Sequence, residues 1–265
     1  MAPFVLEDPL KYITKEVLDY DAFNRDINKI NFHTKCLITT VNRYSYMIAE
    51  KDKAYKKALI SSDILLHDNI NINAAAKPLD GETVTKVGGA DIHQHLLQKL
   101  NHEGGSCFYL GASEPTLAAI KKRLSKEYPK IKVGSYSPPF KANFSIEEDN
   151  AMIEAVNAFK PQVLFLGMTS PKQEKWAYKY KDQLDAHVIC AIGAIFYFYA
   201  ETVNHLSEPR INLGLGRAIQ LVKEPGHIAK KYLYYGPLFV CELLKGKLLG
   251  LVSTLKFKLR QSAVN

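Results

Sequence analysis

No stretch of this 265-residue chain supplies the roughly 20 consecutive apolar residues that a membrane-spanning helix needs. The longest uncharged apolar run, Val188 to Ala200, stops well short and reads as a core strand with the residues that follow it. The opening stretch, MAPFVLEDPLKYITKEVLDYDAFNRD, is charged throughout and lacks an apolar segment, so no N-terminal signal is expected. Cysteine is sparse: Cys36, Cys107, Cys190 and Cys241 are scattered and form no CxxC pair. The first three sit in apolar runs that look like buried strands, which fits free thiols in a reducing cytoplasm and argues against a zinc site. No internal repeat, no low-complexity tract and no complete GxGxxG fingerprint occurs.

Acidic residues run short toward the end. From Arg217 onward nine Lys or Arg face only Glu224 and Glu242, so nearly all of the net charge of +8 lies in the last fifth of the chain. A basic tail on a nearly neutral body predicts a local anionic partner, such as phospholipid head groups or a lipid diphosphate. Nucleic acid is not expected as a partner, because the tail is leucine-rich instead of interleaving basic with aromatic residues.

The chain has 47% hydrophobic residues, ample for an α/β core. Candidate strands are Cys36–Val41, Asp63–Leu66, Cys107–Leu110, Lys132–Ser135, Val163–Leu166 and Val188–Ile192. Candidate helices between them are Tyr44–Ile60, Asp91–Asn101, Glu114–Glu127, Glu147–Phe159 and Pro171–Leu184. This alternation predicts βαβ units and a mainly parallel sheet flanked by helices. It ends near Leu206, which divides the chain into an α/β domain, residues 1–206, and a helical, basic appendage, residues 207–265.

In such a sheet, ligands bind beyond the carboxyl ends of the strands. The first exit offers Thr40 and Asn42, a hydroxyl and an amide suited to sugar or phosphate, although Asn42 as a helix N-cap is the simpler reading. The second offers Asp68, placed for general-base work; an Asx turn accounts for Asp68-Asn69 equally well. At the third, Gly111 lets backbone N–H groups approach a phosphate at a helix start, and a plain βα turn capped by Ser113 explains the same residues. At the fourth, Ser170-Pro171-x-Gln173 forms a capping box with proline at the first helical position. That box leaves Lys172 and Glu174 unexplained: a lysine suits a diphosphate, and a Gln or Glu suits ribose or uracil edges. Asp19-Tyr20-Asp21 has a metal-binding D-x-D form but falls in a polar lead segment, expected to be a solvated surface stretch. His93, His95 and His102 lie on or beside one helix without supporting ligands. No metal and no cofactor is expected.

Gly167-x-x-x-Pro171-Lys172-Gln173-Glu174-x-Trp176 resembles the signature of the WecG/TagA/CpsF family, glycosyltransferase family 26. Thr40-x-Asn42, Asp68, Gly89-Ala90-Asp91, Leu110-Gly111, Ile192-Gly193-Ala194-x-Phe196, Lys223-Glu224-Pro225 and Lys230-Lys231-Tyr232 resemble further family motifs in the same order, over roughly residues 35 to 235. The resemblance implies a Rossmann-like core and an inverting, metal-independent transferase. Its donor would be a UDP-sugar and its acceptor a polyprenyl-diphosphate-linked glycan in bacterial cell-surface polysaccharide synthesis. Asp68 would be the base, with Thr40 beside it. Asn42 and Asp91 would line the sugar pocket, and Gly111, Lys172, Gln173, Glu174 and Gly193 would hold the nucleotide. Lys230, Lys231 and Arg217 would neutralise diphosphate charge. The family also implies a cytoplasmic protein held peripherally on the inner face of the cell membrane, with room for a homo-oligomer.

Departures cluster in the tail. Asn69 replaces glycine after the aspartate, Ser207-Glu208-Pro209 stands for R-A-P, Gly214-Leu215-Gly216-Arg217 for G-L-E-W, and Ile219-Gln220 for a tyrosine-arginine pair. They imply a divergent branch whose donor need not be N-acetylmannosamine. The alternative is a non-catalytic nucleotide-binding protein docked on membrane through its tail, which would keep the glycine turns and need no Asp68. If Val240 to Arg260 is helical, Val240, Leu244, Leu248, Leu251, Leu255 and Leu259 share an arc of about 100° flanked by lysines, a pattern for an interfacial helix or, since Gly246 and Gly250 weaken the helix, for one that packs its leucines on the core or on another subunit.

Overall fold

Five short apolar runs, buried almost throughout, and one more polar run at the edge form one parallel sheet. The computed structural model describes residues 14–17, 20–23, 27, 34–67 and 87–200. The sheet strands are β3 (Cys36–Val41), β4 (Ile64–His67), β5 (Ser106–Gly111), β6 (Lys132–Tyr136), β7 (Val163–Gly167) and β8 (Val188–Ala191). They are hydrogen-bonded in the order β4-β3-β8-β7-β5-β6, every pair parallel. β7 and β8 are buried at every position, as strands covered on both faces must be.

The helices are α1 (Arg43–Ala49), α2 (Lys53–Ile60), α3 (Gly89–Glu103), α4 (Glu114–Glu127), α5 (Ile146–Phe159), α6 (Lys172–Tyr180) and α7 (Ala194–Tyr199). Leu96 and Leu100 of α3, Leu117 and Ile120 of α4 and Phe196 of α7 join Tyr109 and Phe165 in the core on one face of the sheet. Met152 and Val156 of α5 and Trp176 and Ala177 of α6 join Leu110, Leu164 and Leu166 on the other. Successive strand residues alternate between these two cores, as the pleat requires.

This winding creates a reversal between neighbouring strands. From β5 the chain passes through α4 on one face to β6, while from β7 it passes through α6 on the other face to β8. The β5 and β7 exits therefore diverge and leave a crevice between them, the place where open α/β sheets bind ligands.

Three expectations are corrected. The single helix over Tyr44–Ile60 is two, because the Asp52 side chain accepts from the Tyr55 N–H and starts α2 afresh. The lead segment holds strands ahead of the first one expected: β1 (Thr14–Val17) and β2 (Tyr20–Phe23) pair antiparallel. Within it Tyr20 is buried, its ring 5.7 Å from that of Tyr46. The helix predicted over Pro171–Leu184 ends at Tyr180 and continues as a 3-10 turn, Lys181–Gln183.

Cys36, Cys107 and Cys190 are buried free thiols, as their apolar surroundings predict. His93 is a core residue: its Nε2 lies 2.7 Å from the Tyr109 hydroxyl, and burial pushes its pKa down to about 3, so the ring is neutral. Among the described residues no helix is long and apolar enough to cross a membrane. Asp68, Cys241 and the whole predicted appendage, with Arg217, Lys230 and Lys231, lie outside the described residues.

Candidate active site

Three strand exits meet at the crevice, each ending in a glycine for a steric reason. Gly111, at the end of β5, has φ +121°, and a Cβ there would stand 2.4 Å from the Gly167 carbonyl oxygen of β7. The next residue, Ala112, donates its N–H to that carbonyl at 3.0 Å. A Cβ on Gly167 would meet the Phe196 ring at 2.5 Å, and one on Gly193 the Gln173 Oε1 at 2.4 Å. These glycines let the backbones of β5, β7 and the β8–α7 turn close onto one another and onto two buried side chains.

The β7–α6 loop is held from inside. Gln173 Oε1 accepts from the Met168 N–H at 3.2 Å, and its Nε2 donates to Glu174 Oε1 at 3.0 Å. The Ser170 hydroxyl lies 2.7 Å from that of Tyr55 on α2. The capping box expected of Ser170 and Gln173 is therefore absent: Tyr55 takes the Ser170 side chain, Met168 and Glu174 take that of Gln173, and Pro171, which has no side-chain acceptor, occupies the N-cap position. Thr169 takes φ +50° and Ser170–Pro171 is a cis peptide.

Glu174 is 1% exposed, and its Oε2 has no hydrogen-bond partner, alone among buried side-chain polar atoms of the described residues. Burial raises its pKa to about 7, against the opposing influence of the Gln173 amide, a backbone N–H and the nearby Ser170 hydroxyl. Lys172 faces the crevice. Its Nζ donates to the Lys141 carbonyl at 2.6 Å and sits 4.4 Å from the Phe144 ring centroid, and burial lowers its pKa. Lys172 lines a cavity of ≈ 300 Å³ with Ala112, Ser113, Gly167, Met168 and Thr169.

Of the residues picked from sequence, Gly111, Lys172, Gln173, Glu174 and Gly193 gather here. Thr40 and Asn42 stand at the β3 exit, with β8 between them and β7. Asn42 caps α1 in a reciprocal box: its Oδ1 accepts from the Tyr44 and Ser45 N–H groups at 2.9 and 3.0 Å, and Ser45 Oγ accepts from its N–H. Asp91 performs a similar task for α3, its Oδ2 accepting from the Gly88 N–H at 2.7 Å. Trp176 of the motif is an anchor. Its Nε1 donates to Asp149 Oδ1 at 2.9 Å, and Tyr180 donates to the other oxygen at 2.5 Å, pinning α6 to α5. The 137–144 segment, which supplies much of the cavity wall, carries no motif; its Pro-Pro-Phe-Lys stretch between β6 and α5 was its one visible signal.

The family model for glycosyl transferases of the WecG/TagA/CpsF family matches residues 12–251. The chain belongs to this family. Among curated relatives it is similar to the N-acetylglucosaminyldiphosphoundecaprenol N-acetyl-beta-D-mannosaminyltransferase of Bacillus subtilis, 24% identical over 71% of this chain and 72% of that protein. It is also similar to the enzymes of that name from Bacillus spizizenii, 20% identical over 80% of this chain and 84% of that protein, and from Staphylococcus aureus, 24% identical over 62% of each. The chain is thus a member of a glycosyltransferase family, and its β5–β7 crevice is the candidate transferase site.

Proposed function

We propose that this chain moves a sugar from a UDP-sugar to a polyprenyl-diphosphate-linked acceptor, with inversion and without a metal, in bacterial cell-surface polysaccharide synthesis on the cytoplasmic face of the membrane. The observation that carries this reading is the crevice: three glycine-limited strand exits and Lys172 meet where the sheet reverses, in a chain of a glycosyltransferase family. The names of its relatives, which identify diphosphoundecaprenol-linked acceptors, support the acceptor class.

In this reading Asp68, which follows the last residue of β4, removes the proton from the acceptor hydroxyl. That oxygen attacks the anomeric carbon from the face opposite the diphosphate, and the bond to the nucleoside diphosphate breaks, inverting the centre. Thr40, on the neighbouring strand, stands beside the reacting end. Asn42 and Asp91 contribute through the polar atoms their caps leave over. Lys172 meets charge developing on the diphosphate, helped by Arg217, Lys230 and Lys231 from the tail. The tail, residues 207–265, acts as a membrane-contacting appendage.

A donor screen tests this. UDP-glucose, UDP-N-acetylmannosamine and its uronic acid are offered with a lipid-diphosphate acceptor to the wild-type chain and to Asp68→Asn. One donor should be turned over by the wild type, and the variant should bind UDP but not transfer. UDP binding without transfer from any donor would favour a non-catalytic nucleotide-binding role, and near-normal turnover by Asp68→Asn would remove the base.

A further inference from the structure

The segment joining β6 to α5 is fastened at both ends and free between them. Ser137 Oγ donates to the Ala112 carbonyl at 2.7 Å, tying its start to the β5–α4 turn. Lys172 holds the Lys141 carbonyl and covers the Phe144 ring, tying its end to the start of α6, and Lys141 pairs with Glu148 at 2.6 Å. Between the fastenings run Pro138, Pro139 and Phe140, all three lining the ≈ 300 Å³ cavity. The two prolines fix their own φ angles and stiffen the lip. Phe140 is 96% exposed, more than any other large hydrophobic side chain of the described residues. A ring held in water on a stiff lip gains apolar contact when a flat group enters the space beside it.

The sheet indicates which part of a nucleotide sugar that group is, taking the donor reading above as its premise. In the order β4-β3-β8-β7-β5-β6, β5 is four strand spacings from β4, the strand that precedes Asp68. At ~4.8 Å per spacing the β5 exit stands roughly 19 Å from the β4 exit, and the β7 exit roughly 14 Å. With the reacting carbon at Asp68 and the diphosphate at Lys172, the end of the donor that reaches the β5–β6 side is its base. We infer that Phe140 stacks on the donor's nucleobase and that the 137–144 segment is the base-recognition edge of the site. The same cavity is also lined by Glu114, which offers a carboxylate acceptor for a pyrimidine ring N–H, and by Ser113, whose hydroxyl lies 3.0 Å from that of Thr116.

Calorimetric titration of the full-length chain with UDP, and separately with inorganic pyrophosphate, tests the assignment in wild type, Phe140→Ala and Phe140→Trp. Loss of one base-stacking ring should weaken UDP about 5- to 100-fold in Phe140→Ala, with Phe140→Trp restoring it and pyrophosphate unaffected. UDP binding within twofold of wild type in Phe140→Ala would overturn the base assignment and leave the donor site standing. Equal weakening of UDP and pyrophosphate would overturn it too, since the ring would then act on the phosphate end. If the wild type binds no UDP, the donor reading itself fails and this inference falls with it.

Discussion

Gly193 and Gln173 compete for one space: a methyl group on Gly193 would stand 2.4 Å from Gln173 Oε1. Gln173 cannot step aside without releasing the Met168 N–H and Glu174 Oε1. Gly193→Ala is expected to cost about 1–3 kcal/mol and to lower the thermal midpoint by roughly 2–10 °C. Gly111→Ala should cost more, because its new Cβ meets backbone rather than a side chain and sits at φ +121°. Thermal melts of both variants check the order; a Gly193→Ala midpoint at or above wild type would contradict the packing described.

Glu174 makes stability fall with rising pH. Its carboxyl has a folded pKa of about 7, above the ordinary glutamate value, so between roughly pH 4.5 and pH 7 the native state binds more protons than the unfolded chain. That contribution is fully present at the acid end and lost as pH rises through 7. Glu174→Gln keeps the shape without the charge. It should gain up to about 3 kcal/mol over wild type at pH 8 and little at pH 5. Denaturant titrations at the two pH values measure this, and an equal effect at both would show that the carboxyl does not titrate in that window.

In the proposed reaction Lys172 is the cation of the donor site. Lys172→Ala should weaken UDP about tenfold or more, in line with loss of one charge-assisted hydrogen bond, while transfer by the wild type should persist in EDTA. Activity lost to chelation and restored by manganese would transfer the cation's task from Lys172 to a metal.

The tail should bind membranes peripherally. Full-length protein is expected to sediment with anionic vesicles and to come off at high salt, whereas a chain truncated before Leu238 should stay in the supernatant. Equal sedimentation of the truncated form would place membrane contact elsewhere.

The inner strands were legible because they are short apolar runs bounded by polar residues, and a strand buried on both faces needs little else; the edge strand β6, Lys132–Tyr136, is more polar and was legible by its place between two helical stretches. Helix ends were harder wherever a side chain had two local uses. Asp52 sits inside a helix-like stretch and reads as surface charge until its carboxylate is seen capping α2. Ser170 and Gln173 have the spacing of a capping box, but Tyr55 and Met168, distant in sequence or on the backbone, take them instead. Of the site, the motif residues were legible by their order along the chain. Phe140 was not, because nothing in Pro-Pro-Phe-Lys marks a segment as the wall of a cavity until Ser137 and Lys172 are seen fastening its ends.

α2 reaches α6 twice from one turn of helix. Tyr55 meets Ser170 at its start, and Asp52, which already caps α2, pairs with Lys175 within it. The same helix follows α1 in the connection from β3 to β4, the strands that carry Thr40 and lead to Asp68. Motion of the Gly167–Pro171 loop must therefore either break the Ser170–Tyr55 contact or carry α2 with it, and motion of α6 meets the Lys175–Asp52 pair in the same way. The β7–α6 loop and the strands bearing the proposed chemistry share a mechanical brace, so a ligand that shifts one has a rigid route to the other.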